Sequence, residues 1–248
     1  MKENDFAGRT ALVTGGGRGI GAAVALRLAD GGADVVLTYR RDKDSARAVV
    51  GEIERLGRRA FAVLADGEDP EAVEAAVDTA VARTGRLDVL VNNAAAFPVG
   101  PLEELDRATF DATVAVNVRA PYLASRAAAR HMTEGGRIIS VGSNVAERTV
   151  FPGFTLYALS KAALTGMTKG LARDLGPRGI TVNLVHPGPT DTDLNPADGP
   201  NAATVNGYTA LGRYGTPDEI ASAVAFLASP AAGYVTGASL HADGGFTV

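Results

Sequence analysis

The segment Thr14-Gly15-Gly16-Gly17-Arg18-Gly19-Ile20-Gly21 joins an apolar run, Thr10–Thr14, to a helical pattern that reaches Asp30. It constrains the chain more than any other feature. A glycine-rich turn that ends a strand and opens a helix lets the backbone approach a pyrophosphate closely, and the positive end of the helix favours the negative charge there. A lone glycine cluster is weak, because any sharp turn uses glycines. Here the alternation continues, with strand-like runs at Asp34–Tyr39 and Ala60–Ala65 on either side of a helical pattern near Ser45–Leu56.

Asp69 reads as the N-cap of the next helix, Pro70 occupies its first turn, and Val73, Ala76, Val77, Ala80 and Val81 share one face. Further strands are expected at Leu87–Asn92, Arg137–Val141, Ile180–Val185 and Ser239–Ala242, separated by helices near Leu102–Arg119, Tyr157–Leu175 and Pro217–Ala228. This pattern predicts an α/β fold: one Rossmann-like, doubly wound, mostly parallel sheet with helices on both faces, formed by residues 1–248 as a single domain. One stretch breaks the rhythm. Between Pro187 and Thr209 lie four prolines, several Asn and Asp and little periodic apolar pattern, which suits a long functional loop, with a substrate lid expected near residues 190–209.

Composition excludes several classes of function. Hydrophobic residues make up 46% and charged residues 21%, and no apolar run approaches the roughly 20 residues that span a bilayer. A soluble protein without a membrane role is expected, and the opening MKENDFAGRT lacks the pattern of a secretory signal, which points to the cytoplasm. A formal net charge of −4 gives no broad positive field, so nucleic acid is not an expected partner. There is no cysteine, so no disulfide and no thiolate metal site. His131, His186 and His241 are far apart and outside any HExxH-like pattern, so no metal is expected.

At the end of the second strand, a carboxylate commonly holds the ribose 2′-hydroxyl of NAD. This chain reads Tyr39-Arg40-Arg41 there. Together with Arg18 in the glycine turn, these guanidinium groups suit a 2′-phosphate, so the expected cofactor is NADPH/NADP+ rather than the unphosphorylated form. Arg41 is the expected bystander, and the bland alternative is a solvated strand end.

On these residues the chain resembles the short-chain dehydrogenase/reductase family over nearly its whole length. Thr14 to Gly21 is similar to that family's TGxxxGIG turn, Asn92-Asn93-Ala94 to its NNAG stretch, and Tyr157-Ala158-Leu159-Ser160-Lys161 to its YxxxK pair. The resemblance implies that Gly15, Arg18, Gly19, Ile20 and Gly21 hold the dinucleotide with Tyr39 and Arg40, and that Asp66 contacts the adenine. It also implies that Asn93 and Ala94 line the cofactor channel and that Pro187, Gly188 and Thr190 border the nicotinamide. Asn117 and Ser143 would complete a catalytic tetrad with Tyr157 and Lys161, which also contact the cofactor. The general likeness is to 3-oxoacyl-(acyl carrier protein) reductases and related ketoreductases, which implies a small-molecule carbonyl substrate and a homotetramer.

Three positions depart from the family pattern. Ala95 replaces the glycine of NNAG, Thr190 stands where a branched apolar residue is common, and the Ser143 to Tyr157 interval is one residue longer than usual. Ser140 is therefore the fallback serine.

The residue types suit the chemistry. A tyrosine at pKa about 10 shuttles protons poorly near neutrality unless its phenolate is stabilised. A lysine four residues later lies on the same helix face, so Lys161 is expected to lower the Tyr157 pKa. Tyr157 would then give its proton to a carbonyl oxygen held by Ser143, while Asn117, by the resemblance, would hold a water connecting Lys161 to solvent. The bland readings are an amphipathic helix surface for the pair, a polar helix residue capping a neighbouring loop for Asn117, and a turn former for Ser143.

Phe97, Phe151, Phe154 and Tyr208 supply apolar surface for an uncharged or partly aromatic ketone, with Arg148 the one cation available to an acidic group. A second reading comes from His186-Pro187-Gly188-Pro189-Thr190-Asp191-Thr192-Asp193, followed by Asn195-Pro196. That stretch resembles the subgroup containing a cyclic-di-GMP-binding mediator of biofilm dispersal, in which nucleotide binding rather than turnover would be the role.

Overall fold

The computed structural model describes residues 5–248; Met1–Asn4, part of the opening read above for a secretory signal, lie outside the described residues. Seven strands form one sheet: β1 (Thr10–Val13), β2 (Asp34–Tyr39), β3 (Ala60–Leu64), β4 (Val89–Asn92), β5 (Arg137–Val141), β6 (Thr181–Pro187) and β7 (Ser239–Ala242). Their order is β3-β2-β1-β4-β5-β6-β7 and every pairing is parallel. The expected sheet is confirmed, and it is wholly rather than mostly parallel among the described residues.

Parallel pairing aligns the two faces. Val36, Leu12, Leu90, Ile138 and Val182 are register partners across five strands. All five are buried in one core, beneath α3 (Pro70–Thr84), α5 (Ala120–His131) and α6 (Thr155–Leu175). Their sequence neighbours Leu37, Val13, Val91 and Ile139 point the other way, into a core covered by α1 (Gly19–Asp30), α2 (Lys43–Arg55) and α8 (Pro217–Ala228). Strands buried on both faces must be apolar at nearly every position, which is why they read as continuous runs.

Local capping ends the elements where the residues indicate. Asp69 accepts a hydrogen bond from Ala72 N at 3.0 Å, with Pro70 at the first turn of α3, and Gly85 closes that helix in the left-handed conformation. Thr216 and Glu219 cap α8 reciprocally.

The expected helix over Leu102–Arg119 is different in the structure. A short 3₁₀ turn at Leu102–Glu104 precedes α4 (Arg107–Val114), capped by Asp106; a widened π-type turn at Ala115–Arg119 then leads into α5, which the residue pattern did not reveal. Pro121, which has no N–H to continue the helical ladder, follows directly on the widened turn. The Pro187–Thr209 stretch contains one short helix, α7 (Ala202–Asn206). Strand order reverses on either side of β1, so a crevice opens at the carboxyl ends of β1 and β4, and the candidate residues hang from those ends. No helix among the described residues is long and apolar enough to cross a membrane.

Candidate active site

The glycine turn after β1 is held from below. Asn93 Nδ2 donates to Thr14 O at 3.0 Å and Gly15 O at 3.1 Å, and Thr14 Oγ1 accepts from the backbone N–H of both Asn93 and Ala94. Asn93 and Ala94 thus brace the turn. A Cβ on Gly21 would stand 2.3 Å from Gly15 O, and Gly15 itself has φ of +64°, so both positions need glycine. Arg18, extended and exposed, is the N-cap of α1; no side chain caps this helix and no acid lies in its first turn. The orphan N–H groups and the positive helix end therefore remain available to a phosphate, which is the fit a dinucleotide requires.

Thr14, Thr38, Ala65, Gly67, Ala94 and Val116 line a crevice beside this turn. Tyr39 and Ile20 pack against the core at its edge. Arg40 differs from expectation. The carboxyl end of the second strand carries no carboxylate, but β3 ends beside it, and Arg40 Nε lies 2.9 Å from Asp66 while its Nη2 lies 3.1 Å from Glu68. Asp66 thus holds Arg40. On the far side Gly188 N donates to Ala242 O, and the buried Thr190 donates its hydroxyl to Gly188 O at 3.0 Å, with Pro187 ending β6.

The turn after β5 and the start of α6 bring Ser143, Tyr157 and Lys161 together. Ser143 Oγ, which donates to Asn144 Oδ1 at 3.2 Å, lies near enough to the Tyr157 hydroxyl to favour its phenolate. Lys161 Nζ lies 5.8 Å from the Tyr157 ring centroid and donates to Val141 O at 2.8 Å. Ser140 instead faces the sheet interior, where its Oγ accepts from Asn92 Nδ2 at 3.4 Å, so the longer serine-to-tyrosine interval is absorbed by the turn and Ser143 is the serine at the site.

The expected pKa relation is reversed. Burial pushes the Tyr157 phenol up to about 12, with the Ser143 hydrogen bond opposing weakly, and burial pulls the Lys161 ammonium down to about 8. Lys161 is near Tyr157 as expected, but desolvation of the phenolate outweighs any attraction from that ammonium.

Asn117, in the widened turn, is 1% exposed and fully engaged: Oδ1 accepts from Ala96 N at 2.7 Å, and Nδ2 donates to Ala96 O at 2.8 Å and Ser160 Oγ at 2.9 Å. It ties the Ala94–Gly100 loop to α6. The side chain therefore does what the loop-capping alternative describes.

Aromatic rings continue outward from Tyr157. Phe97 meets it edge-to-face at 4.7 Å, and Phe154, Phe151, Tyr208 and Phe246 follow in a chain of contacts from 5.3 to 6.1 Å. Arg148 is not free to meet a substrate acid, because its guanidinium donates to the backbone carbonyls of Phe246 and Val248 and lies over the Phe246 ring.

A feature the residue pattern did not reveal is His186, fully buried on β6 with Nδ1 2.7 Å from Ser143 O. A Cβ on Gly142 would meet that nitrogen at 2.7 Å, so this glycine admits the imidazole. Desolvation, the largest influence, holds His186 below the ordinary histidine range. The histidines judged far apart by sequence include a stacked pair: His186 and His241 are register partners on β6 and β7, with ring centroids 5.0 Å apart.

Comparison with known proteins agrees with this geometry. A family model described as enoyl-(acyl carrier protein) reductase matches residues 15–247. A short-chain dehydrogenase from Burkholderia cenocepacia, solved in complex with NADP, superposes with a TM-score of 0.98 at 55% identity, covering 99% of this chain and 100% of that one. Among curated proteins, a cyclic-di-GMP-binding biofilm dispersal mediator of Escherichia coli is 46% identical over 97% of this chain and 98% of its own length. A versicolorin reductase of Emericella nidulans is 39% identical over 96% and 95% respectively.

Proposed function

The chain belongs to the short-chain dehydrogenase/reductase family of oxidoreductases, and from that premise we propose that it is an NADPH-dependent reductase that converts a ketone to an alcohol with Tyr157 as proton donor. The observation that carries this reading is the meeting of Ser143, Tyr157 and Lys161 at the carboxyl ends of the strands, beside a glycine turn with an uncapped helix N-terminus. NADPH fits that turn, and the short-chain dehydrogenase from Burkholderia cenocepacia was solved in complex with NADP. Gly15, Gly19 and Gly21 would admit the pyrophosphate to the backbone, Arg18 and Arg40 would meet the 2′-phosphate, and Asp66 would border the adenine. Bound NADPH supplies the hydride.

The chain's own groups supply the proton. A phenol near 12 stays protonated at neutral pH, the state a donor needs, whereas the reverse oxidation would require the phenolate. Ser143 Oγ donates to the carbonyl oxygen as negative charge develops there, and Tyr157 Oη then transfers its proton to that oxygen. Lys161, with pKa about 8, is still mainly charged at pH 7 and favours the tyrosinate left behind. Asn117 positions α6 through Ser160. The rings of Phe97, Phe154 and Phe151 beside Tyr157 favour an uncharged, partly aromatic ketone over a charged one. Residues 190–209, which carry Tyr208 against Phe151, would close over it as a lid.

The experiment is NADPH consumption with a panel of aromatic and aliphatic ketones. Tyr157→Phe should lower turnover at least about a hundredfold while leaving NADPH affinity within a few-fold. Undiminished turnover in that variant would remove Tyr157 as the acid. A binding role remains the second reading, favoured by the 46% identity to the cyclic-di-GMP-binding protein. Micromolar cyclic-di-GMP binding together with failure to reduce any ketone would establish it instead.

A further inference from the structure

One group of metal-type side chains among the described residues lies beside the site and takes no part in the proposed chemistry. Glu147, His186 and His241 each present a ligating atom, and these atoms lie within 4.8 Å of one another. They come from three separate elements: the turn after β5, the end of β6 and the end of β7.

His186 is poised to coordinate. Nδ1 lies 2.7 Å from Ser143 O and 3.2 Å from Ser143 N, and the shorter of these contacts is satisfied by the tautomer that carries the ring proton on Nδ1. That leaves Nε2 with its lone pair, and Nε2 is buried in a residue with no exposed surface and has no hydrogen-bond partner. An imidazole whose far N–H is held by a backbone carbonyl is the form that binds a metal ion, because the hydrogen bond sets both tautomer and ring orientation. An orphaned buried acceptor also costs about 1–3 kcal/mol unless something fills its place.

His241 is the second imidazole. Its Nε2 stands 3.0 Å from Glu147 Oε2 but outside hydrogen-bonding geometry, and it too is buried without a hydrogen-bond partner. Glu147 brings the negative charge that a dication requires. Its side chain is 46% exposed and that of His241 30%, and His241 also lines a cleft of about 390 Å³ with Pro189, Leu211 and Asp243, so an ion has a way in.

We infer that Glu147, His186 and His241 form a binding site for a divalent transition ion of the zinc type. Two imidazoles and one carboxylate are the donor set such ions take, with a fourth position left open toward the cleft. Bonds of about 2.1 Å place tetrahedral ligands about 3.4 Å apart, so closure requires Glu147 to swing inward and His241 to tilt out of its near-parallel stack on His186. The ion would pin β6 and β7 to the turn that carries Ser143.

The test uses the full chain, stripped with a chelator and titrated with Co²⁺ as a visible-absorbing probe, then displaced with Zn²⁺. One equivalent per chain should produce ligand-field absorption and raise the Tm. His241→Asn and Glu147→Gln should each weaken binding at least about tenfold, whereas His131→Asn, whose ring pairs with Asp78 on the opposite layer, should titrate like the parent. Either rim variant decides alone should the other fail to fold. Absence of saturable Co²⁺ binding up to about millimolar metal, or unchanged binding in a folded rim variant, overturns the site.

Discussion

Replacing Lys161 with methionine should make the protein more stable at neutral pH while removing its activity. Lys161 is 3% exposed and its ammonium makes one hydrogen bond, to Val141 O. Holding that ammonium at a pKa of about 8, against 10.5 for the free side chain, corresponds to about 3 kcal/mol of destabilisation at pH 7. Methionine has similar length and no charge. It leaves Val141 O without that donor, at about 1–3 kcal/mol, so the net gain at pH 7 is about 0–2 kcal/mol.

The pH dependence isolates the charge. Because the folded pKa lies below the unfolded one, the cost is fully present below pH 8 and fades between about 8 and 10.5, where only the unfolded chain still binds the proton. The variant's advantage should therefore shrink by about 2 kcal/mol between pH 7 and pH 10. Measurement should stop near pH 10, because the raised Tyr157 pKa brings an opposing loss above that value. Urea denaturation followed by circular dichroism at the two pH values gives both numbers. A variant less stable than the parent at pH 7, or a difference that does not change with pH, would refute the argument that burial of this ammonium is costly.

Asn117→Ala leaves Ala96 N–H and Ala96 C=O without their partner and removes the donor to Ser160 Oγ, which keeps its own bond to Tyr157 O, and should cost about 2–4 kcal/mol. In a chain of this size the melting temperature should fall by roughly 5–12 °C, and a fall of under about 2 °C would mean the tie is not structural. Gly21→Ala must push Gly15 O away from a Cβ at 2.3 Å, which opens the turn. NADPH affinity by calorimetry should drop by at least about tenfold, and an unchanged affinity would deny the turn its binding role. Arg18→Ala and Arg40→Ala should each weaken NADPH several-fold and leave NADH unaffected. The Arg40 effect should be the smaller because Asp66 and Glu68 already hold that guanidinium, and equal losses for both dinucleotides would remove the arginines as selectors.

The features legible from the residues are those written over short spans. The glycine turn, the Asp69 cap, the apolar runs and the Tyr157–Lys161 spacing each depend on neighbours within one strand or one helical turn, and each stands where it was expected. Features that answer to a distant partner are not written in the local residues. Arg107 to His131 is one helical tract interrupted by a widened turn because Asn117 must reach Ala96 and Ser160, and nothing within the tract itself announces those partners. Lys161 lies near Tyr157 as its spacing implies, yet the sign of the tyrosine's pKa change follows from burial beneath Phe97 and its neighbours, which spacing does not report.

By itself the amino-acid sequence determined the alternation of strands and helices, the phosphate-facing turn and the candidate proton donor, because periodicity and local backbone preference act between adjacent residues. Only the tertiary structure decided which strand ends lie side by side. Parallel register set His186 against His241 and carried Asp66 to Arg40, since the order β3-β2-β1-β4-β5-β6-β7 is settled by how two helical layers cover both faces of the sheet, and separation along the chain carries no record of that packing.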